Sequence, residues 1–292
     1  MTHGDDRDRA EDGVAATRVW LVIGASTGIG RAVAETILSR AGDKLVATAR
    51  DRTRLADLAA SDPARVELCE VDVVSSATVR DAISRTIERF GSVDVVVSCA
   101  GNCLIGSVEE SSDEEIRAVV ETNFFGVVNV VKAVVPYFRE RRSGHLAVVT
   151  SNGAFDARPG CGAYCASKAG ANGILEAVAA EVGSLGIGVT IIEPGLVRTD
   201  LRARGTVSAR QSIADYDLTC AAMRASIGSD YPDSAGDPQL AGRAIVQALV
   251  SADPPRHLPL GSDALSRIRQ KLAALGAELD RWQDLALSVT AG

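Results

Sequence analysis

Apolar positions along the chain follow two patterns that alternate from one segment to the next. Short, nearly continuous apolar runs are typical of strands in a parallel sheet, and apolar residues at helical spacing indicate amphipathic helices. The predicted strands are RVWLVIG (18–24), KLVATA (44–49), RVELCEVDV (65–73), VDVVVSCAG (93–101), GHLAVVTS (144–151) and GVTIIEPG (188–195). Helices are predicted between them at 30–42, 52–60, 76–91, 113–138 and 162–183. The alternation predicts an α/β fold, a doubly wound parallel sheet with helices on both faces.

The pattern becomes less regular after residue 195, where helices broken by loops are predicted. A helix resumes at PQLAGRAIVQALVSA (238–252), and a short strand is predicted at RHLPLG (256–261). An amphipathic helix is predicted at 262–286. Neither an internal repeat nor a second hydrophobic core is apparent, so we expect one domain over residues 17–292.

Composition and charge narrow the classes of function. The net charge of the 292-residue chain is −7, which argues against nucleic acid or an anionic membrane as a partner. The polar segment 1–16 lacks the pattern of a signal peptide, and we expect it to form a disordered arm. No unbroken apolar run reaches the roughly 18 residues that a membrane span needs. We therefore expect a cytoplasmic protein without a membrane partner.

The six cysteines are expected to be reduced thiols, because the chain is long and carries no export signal. The spacings Cys99–Cys103 and Cys161–Cys165 are compatible with zinc ligands. Cys165, however, lies on the same predicted helix as the residues 164 and 168 discussed below, and should point away from them. We therefore predict buried free thiols and no metal site.

A glycine-rich turn, GASTGIG (24–30), follows the first strand and opens the first helix. Glycines at such positions let the backbone turn tightly and approach a pyrophosphate, and amides at the helix N-terminus face the phosphates. A merely tight turn is the alternative, but the strand before and the helix after favour nucleotide binding. The predicted contacts are Gly24, Ser26, Thr27, Gly28, Ile29 and Gly30.

The end of the second strand bears on which dinucleotide is bound. Ala49 is followed by Arg50 and then by Asp51. Arginine forms charge-assisted hydrogen bonds to a 2′-phosphate, whereas an acidic residue takes the ribose hydroxyls of NAD(H). We predict a preference for NADP(H), with NAD(H) as the alternative if Asp51 holds the ribose.

Tyr164 and Lys168 are four residues apart on the predicted helix 162–183, so their side chains lie on one face. A cation beside a phenol favours the phenolate. The sequence therefore predicts a lowered pKa for Tyr164, helped by the positive ring of an oxidised nicotinamide.

The motifs occur in an order that resembles one family. They are GASTGIG (24–30), VDV (71–73), SCAG (98–101), Asn123, Ser151, YCASK (164–168) and EPGLVRTD (193–200). Together they resemble the short-chain dehydrogenase/reductase family, most closely its hydroxysteroid-dehydrogenase-like and ketoreductase branch. The resemblance covers about 18–200 and implies a single Rossmann-type domain with a hydride-transfer site.

The resemblance also implies roles for individual residues. Tyr164 would be the catalytic acid/base and Lys168 its activator. Ser151 would hold the substrate carbonyl oxygen, and Asn123 would support a water that links Lys168 to solvent. The further cofactor contacts that it implies, beyond the glycine turn and Arg50, are Asp72, Val73, Ala100, Gly101, Tyr164, Lys168, Pro194, Gly195, Val197 and Thr199.

Three positions depart from the family pattern. Ile23 stands where a threonine is usual, and Ser98 and Cys99 replace a usual pair of asparagines. These changes remove a hydroxyl contact and amide contacts and place a thiol near the cofactor. They bear on cofactor affinity and leave the reacting groups intact.

The sequence thus predicts an NADP(H)-dependent oxidoreductase that interconverts a ketone and a secondary alcohol, reducing a bulky lipophilic carbonyl. The alternatives are an NAD-dependent alcohol dehydrogenase and a non-catalytic nucleotide-sensing protein on the same fold. By resemblance we expect a homodimer or homotetramer that pairs the helices 113–138 and 162–183.

The substrate pocket is expected to have mostly apolar walls, with segment 200–238 as a lid. Asp156 and Arg158 are polar exceptions in this region, and we interpret both as solvated loop charges. The predicted substrate contacts are Leu104, Phe155, Cys161, Leu196 and Tyr216, and Ile105, Leu201 and Cys103 are further residues expected in the pocket wall.

Overall fold

The structure is a computed structural model and describes residues 17–290. The arm predicted at 1–16 lies outside the described residues. The strands are β1 (Val19–Ile23), β2 (Lys44–Ala49), β3 (Val66–Glu70), β4 (Val95–Ser98), β5 (Cys103–Ile105), β6 (Gly144–Val149), β7 (Ile187–Pro194), β8 (Thr206–Ser208) and β9 (His257–Leu260).

Helices cover both faces of the sheet and continue after the last strand. They are α1 (Gly28–Leu38), α2 (Ala56–Ser61), α3 (Ser76–Phe90), α4 (Asp113–Val120), α5 (Gly126–Arg141), α6 (Gly162–Val182), α7 (Asp217–Ala225), α8 (Pro238–Val250) and α9 (Ser262–Leu287). Short 3₁₀ turns precede α2, follow β6 and α6, and precede α7.

Seven of the strands form one parallel sheet in the order β3-β2-β1-β4-β6-β7-β9. The central strand β1 pairs with β2 on one side and with β4 on the other, so the strand order reverses there. In such sheets ligands bind in the crevice at the carboxyl ends of the strands, next to the reversal. The predicted doubly wound α/β fold is confirmed.

Alternate residues of the strands supply two hydrophobic cores. Along β1, Leu21 and Ile23 pack in a core that includes residues of α3, α5 and α6. Trp20 and Val22 belong to a second core, which includes residues of α1 and α8. Because both faces are covered, all five residues of β1 are buried, which explains the unbroken apolar runs in the sequence.

Two predicted strands end earlier than expected. β3 stops at Glu70 and β4 at Ser98, because the next residues leave the sheet and line the crevice beyond it. The strands β5 and β8 were not predicted, since three residues carry too short a pattern. They form a separate parallel pair. Through this pair, the chain that follows β4 contacts the irregular segment after residue 200.

The helix predicted at 113–138 is longer and is interrupted by a π-helical turn. The turn, Glu121–Phe125, connects α4 and α5 within the stretch Asp113–Arg141. By length and composition this stretch could cross a membrane, although it holds no unbroken run of 18 apolar residues, and 33% of its most apolar window is buried. The same test is passed by core helices, and side chains of α5 such as Val130 and Phe138 pack in the core.

Candidate active site

A cavity of about 800 Å³ opens at the carboxyl ends of the central strands. It is the crevice expected for a ligand at the reversal of strand order. The cavity brings together all the residues predicted to contact a cofactor, which are Gly24, Ser26, Thr27, Gly28, Ile29, Gly30, Arg50, Asp72, Val73, Ala100, Gly101, Tyr164, Lys168, Pro194, Gly195, Val197 and Thr199.

The glycine turn is shaped for close approach of a phosphate. Gly24 has φ +85° and Gly28 has φ +58°, both in the left-handed region that favours glycine. A Cβ on Gly30 would lie 2.1 Å from the carbonyl oxygen of Gly24, so only glycine fits there. Since α1 begins at Gly28, its first amides face the cavity and can bind an anion. These residues fit the pyrophosphate of a dinucleotide.

At the end of β2, Arg50 and Asp51 have different surroundings. Arg50 is exposed and lines the cavity. The Asp51 carboxylate accepts hydrogen bonds from Thr53, from Oγ1 at 2.6 Å and from the backbone N–H at 3.0 Å. The Thr53 hydroxyl bond is the main reason why the pKa of Asp51 is lowered. Asp51 thus caps a 3₁₀ turn, whereas Arg50 remains at the cavity wall.

Ser151, Tyr164 and Lys168 line the same cavity and are positioned by adjoining elements. Ser151 follows β6 and caps a short 3₁₀ turn, where its Oγ accepts the N–H of Gly153 at 3.0 Å. Tyr164 and Lys168 lie in the first two turns of α6. The Lys168 ammonium is buried and donates to the carbonyl oxygen of Val149 at 3.1 Å.

The chain's own groups do not lower the pKa of Tyr164, contrary to the sequence-based prediction. Packing of protein atoms around the hydroxyl disfavours phenolate and raises this pKa, and a hydrogen bond with Ser151 opposes the effect only in part. Burial also lowers the pKa of Lys168 to about 8. The sequence spacing predicts that the two side chains share a helix face, but it contains no measure of desolvation.

Asn123 lies in the π-helical turn and is fully buried. Its Oδ1 accepts the N–H of Asn102 at 3.0 Å, and its Nδ2 donates to the carbonyl oxygen of Asn102 and to Oγ of Ser167. A Cβ on Gly101 would lie 3.1 Å from Asn123 Oδ1 and 3.2 Å from Lys168 Nζ. Asn123 therefore orders the backbone next to Lys168 without lining the cavity.

Ser98 and Cys99, which differ from the usual residues of the family, still allow tight packing against the glycine turn. Ser98 is buried, and Cys99 packs beside Gly30, where an added Cβ would lie 3.0 Å from that of Cys99. Burial raises the pKa of the Cys99 thiol to about 12, so it stays protonated. The thiol acts as a packing group here.

Among the predicted substrate contacts, Cys161 and Leu196 line the cavity and Leu104 does not. Leu104 is the middle residue of β5, and its neighbours Cys103 and Ile105 line the cavity in its place. Successive side chains of a strand point to opposite sides, so a loop prediction could not assign the correct phase.

Phe155 and Tyr216 also lie away from the cavity lining. The Phe155 ring packs edge-on against His257 of β9, with ring centroids 6.1 Å apart. The Tyr216 hydroxyl donates to the carboxylate of Glu109 at 2.6 Å. Phe155 and Tyr216 each contact a residue outside the pocket, and neither contact could be recognised from the sequence.

The two charged residues after Ser151 differ in their environment. Asp156 forms an ion pair with Arg267 at 3.0 Å. Arg158 lines the cavity, and its Nε is buried without a hydrogen-bond partner within residues 17–290. Arg158 is half-buried and faces the cavity, whereas Asp156 is held in an ion pair, so neither charge stands free on the outer surface of the loop.

The paired cysteines of α6 lie beside Tyr164 and contact each other. Cys161 Sγ and Cys165 Sγ are 3.5 Å apart and both residues are buried. A Cβ on Gly153 would lie 3.2 Å from Cys165 Sγ and 3.7 Å from Cε1 of Tyr164, so the thiol of Cys165 lies on the Ser151 side of the helix. In the described part of the chain, no cluster of three or more His, Cys, Asp or Glu side chains is placed to hold a metal ion.

Comparisons with known proteins identify the family to which the chain belongs. The profile of the family described as short chain dehydrogenase matches residues 18–208. The oxidoreductase BOA17 of Botryotinia fuckeliana is 33% identical over 273 residues, which cover 93% of this chain and 99% of that protein.

Solved structures show the same likeness. A short-chain dehydrogenase from Streptomyces avermitilis superposes with a TM-score of 0.87 and is 34% identical, covering 94% of this chain and 100% of its own. An alcohol dehydrogenase from the archaeon Thermococcus sibiricus, complexed with 5-hydroxy-NADP, has a TM-score of 0.69 and 25% identity, covering 85% and 97%. The chain therefore belongs to the short-chain dehydrogenase family, and it is an oxidoreductase of the kind that uses a nicotinamide cofactor.

Proposed function

We propose that the protein is an NADP(H)-dependent oxidoreductase that interconverts a ketone and a secondary alcohol, and that it chiefly reduces a bulky lipophilic carbonyl. One observation carries the proposal: Tyr164, Ser151 and Lys168 line the same cavity as the glycine turn. A proton donor, a hydrogen-bond donor and a cation thus adjoin a site built for a dinucleotide. The related alcohol dehydrogenase complexed with 5-hydroxy-NADP supports the same type of reaction.

The residues that would hold the dinucleotide are those of the glycine turn, Arg50, Asp72, Gly101 and the segment 194–199. When bound, it would supply or accept the hydride. In this proposal Ser151 donates a hydrogen bond to the carbonyl oxygen, where negative charge grows, and Tyr164 donates its proton to that oxygen. Lys168 stabilises the resulting phenolate electrostatically. Asn123 keeps the neighbouring backbone in place.

We propose reduction as the main direction of the reaction. The phenol of Tyr164 is protonated at neutral pH, as that of an ordinary tyrosine is, and this is the form that a carbonyl reduction consumes. Oxidation of an alcohol would need the phenolate, whose formation burial disfavours.

Arg50 supports the choice of NADP(H). Arg50 lines the cavity, whereas the carboxylate of Asp51 is engaged by Thr53. An arginine in this position forms charge-assisted hydrogen bonds to a 2′-phosphate. With Asp51 occupied as a cap, the NAD-dependent alternative lacks its usual ribose ligand.

We expect wild-type protein to reduce bulky ketones faster with NADPH than with NADH, and Arg50→Asp to remove the preference. The lost charge-assisted bonds should weaken NADPH binding about 10- to 100-fold, with little effect on NADH. Titration of each reduced cofactor, followed by its fluorescence, measures the binding. Absorbance assays with a panel of ketones and the matching alcohols measure the reaction.

Arg52→Asp is the matched control, because Arg52 is exposed nearby and does not line the cavity. It should keep the cofactor preference of the wild type. Equal losses for NADPH and NADH in Arg50→Asp would contradict the NADP(H) proposal. Absence of turnover for every ketone and alcohol with both cofactors would contradict the reaction itself.

The segment 200–238 is proposed as a substrate lid, since part of it, including Met223 and Tyr231, lines the cavity. Its partners lie on the chain between β5 and α4. The buried carboxylate of Glu110 accepts the N–H of Ile213 at 2.7 Å and also binds Arg224. These contacts tie the segment to the chain next to β5 and support the proposal of a lid at the substrate end of the cavity.

The assembly and the location are also proposed. We propose a cytoplasmic homodimer or homotetramer in which α4, α5 and α6 pair across a two-fold axis. The Phe125 side chain in the π-helical turn is exposed, which supports an apolar contact on this face.

A further inference from the structure

Arg158 is a cation inside the cavity with an unused donor. It lies in the loop between β6 and α6 and lines the cavity together with Tyr164 and Cys161. Its Nε is buried and has no hydrogen-bond partner among the residues that the structure describes. A buried donor without an acceptor is unfavourable, so a residue of this kind calls for a specific explanation.

The other arginines at this end of the cavity have partners. Arg267 binds Asp156 at 3.0 Å, and Arg204 lies 4.0 Å from the carboxylate of Asp200. Arg202 stacks on an aromatic ring in the lid and donates to a backbone carbonyl. Arg158 differs from these three in that its guanidinium has no ion-pair or hydrogen-bond partner among residues 17–290, although the residue lines the cavity.

The surroundings of Arg158 define the kind of ligand. The neighbouring cavity walls include Cys103, Ile105 and Met223, which offer no charge. Burial raises the pKa of Cys103 to about 11, so that thiol stays neutral. Arg158 and Tyr164 line the same cavity, so the guanidinium and the reacting phenol face one ligand-binding space. An oxyanion close to the carbonyl group would satisfy Arg158.

We infer that the substrate is a keto acid, a lipophilic ketone whose carboxylate is bound by Arg158. This inference rests on the proposed ketone reduction and specifies its substrate class. The planar guanidinium matches a carboxylate and forms two parallel hydrogen bonds with it. Arg158 would thereby orient the ketone with its carbonyl oxygen toward Ser151 and Tyr164.

The experiment uses a graded series of aryl keto acids that differ in the number of methylenes between carbonyl and carboxylate, each with its primary amide. Wild-type enzyme with NADPH should prefer the acid over the amide for at least one spacing. In Arg158→Gln the acid-to-amide ratio of kcat/KM should fall about 10- to 100-fold, mainly through KM. Arg158→Lys should restore part of the ratio, because it keeps the charge.

Arg204→Gln is the matched control, since it removes a cationic side chain that already has a partner, and it should keep the wild-type ratio. An unchanged ratio in Arg158→Gln, or amides preferred at every spacing, would overturn the inference while ketone reduction stands. If no ketone is reduced, the proposed function fails. Calorimetric titration of the keto acids into wild type and Arg158→Gln then decides the carboxylate site, since equal affinities would overturn it.

A second, independent observation concerns the C-terminal helix α9. Its apolar residues recur at alternating intervals of three and four, the heptad spacing of helices that pair along a seam. Beyond its first turns the seam is not covered by the described part of the chain. Leu272, Leu279 and Trp282 are 54%, 64% and 53% exposed. The residues of the seam are Leu265, Ile268, Leu272, Leu275, Leu279 and Trp282.

An uncovered helix of this length would be only marginally stable in water, so the seam needs a partner. Charges beside the seam indicate which partner. At the positions that flank the seam, Arg269 and Lys271 lie in the first half of α9 and Glu278 lies in the second half. Two copies of α9 packed antiparallel would place the basic half of each against the acidic half of the other.

We propose that α9 pairs with α9 of a second copy of this chain as an antiparallel two-helix seam. This surface is separate from the proposed contact through α4, α5 and α6. Trp282 would lie against the apolar residues near the start of the partner's helix. Self-complementary charge favours a second copy over an unrelated protein, and an isologous contact closes after two chains.

Sedimentation equilibrium of the full chain tests this pairing. Leu272→Glu/Leu279→Glu should halve the mass of the assembly, because charges placed in the seam repel across it. Ala273→Glu/Ala277→Glu is the matched control on the opposite face, and it should sediment as wild type. Lys271→Glu should weaken the assembly about threefold, and adding Glu278→Lys should restore it.

The same mass for wild type and the leucine double variant would overturn the α9 seam. A monomeric wild type would do so as well. A wild-type monomer that floats with phosphatidylcholine vesicles, while the leucine double variant does not, would assign the helix face to a lipid surface instead.

Discussion

Tyr164→Phe is expected to lower kcat for ketone reduction about 10³-fold and to leave NADPH binding nearly unchanged. The substitution keeps the aromatic ring that packs in the cavity and removes only the hydroxyl that donates the proton. General acid catalysis by a positioned side chain contributes about 10²- to 10⁴-fold. Steady-state rates with saturating ketone and a fluorescence titration with NADPH separate the two effects.

Tyr137→Phe is the matched control for this result. Its hydroxyl accepts the N–H of Val93 at 3.2 Å, outside the cavity lining, so its loss should leave kcat within a few-fold of wild type. Turnover by Tyr164→Phe at a rate close to that of wild type would refute the role of the phenol. NADPH binding without turnover in wild type would instead favour the nucleotide-sensing alternative.

The proposed roles of Tyr164 and Ser151 depend on a geometry that local sequence partly encodes. The β6 strand ends just before Ser151, and α6 begins two residues before Tyr164, so both side chains reach the carboxyl end of the sheet. The spacing of four residues between Tyr164 and Lys168 places them on one helix face. These features could be predicted because strand ends and helix periodicity are local properties.

The electrostatics of the site could not be predicted in the same way. The sequence places a cation next to a phenol and therefore suggests a lowered pKa for Tyr164. In the folded chain, desolvation dominates and moves the pKa of Tyr164 upward and that of Lys168 downward. Desolvation depends on side chains brought together by the whole fold, so neither direction follows from spacing alone.

The sequence pattern also predicts the substrate pocket and the environment of α9 only in part. Leu104 was expected in the pocket, but β5 directs Cys103 and Ile105 there, and a three-residue strand is too short for its phase to be recognised. For α9 the amphipathic pattern predicts an apolar face. Only the structure reveals that most of this face lies outside the core of its own chain.

Lys168→Met is expected to lower kcat/KM about 10²- to 10³-fold, because the cation that stabilises phenolate is lost. The same substitution should stabilise the cofactor-free protein. Lys168 is 5% exposed, and burial lowers its pKa from 10.5 to about 8. Holding this charge in the folded state at neutral pH costs about 2–4 kcal/mol. Loss of the bond to Val149 offsets about 1 kcal/mol of the gain.

The gain in stability of Lys168→Met should depend on pH, and the lowered pKa of Lys168 sets the direction. Between pH 8 and 10.5 the unfolded chain binds more protons at Lys168 than the folded chain, so wild-type stability rises with pH there. The advantage of Lys168→Met should be complete below pH 8 and should vanish above pH 10.5. Urea denaturation of both proteins across this range measures the difference in free energy of unfolding.

Lys132→Met is the matched control, because Lys132 is exposed on α5 and its removal should show no such pH window. A Lys168→Met protein that is less stable than wild type at neutral pH would mean that the ammonium holds the fold through Val149. A gain in stability combined with loss of turnover would mean that the ammonium of Lys168 destabilises the fold and is needed for the reaction. The chain would then retain a buried charge that weakens its fold, and the reason would be the chemistry at Tyr164.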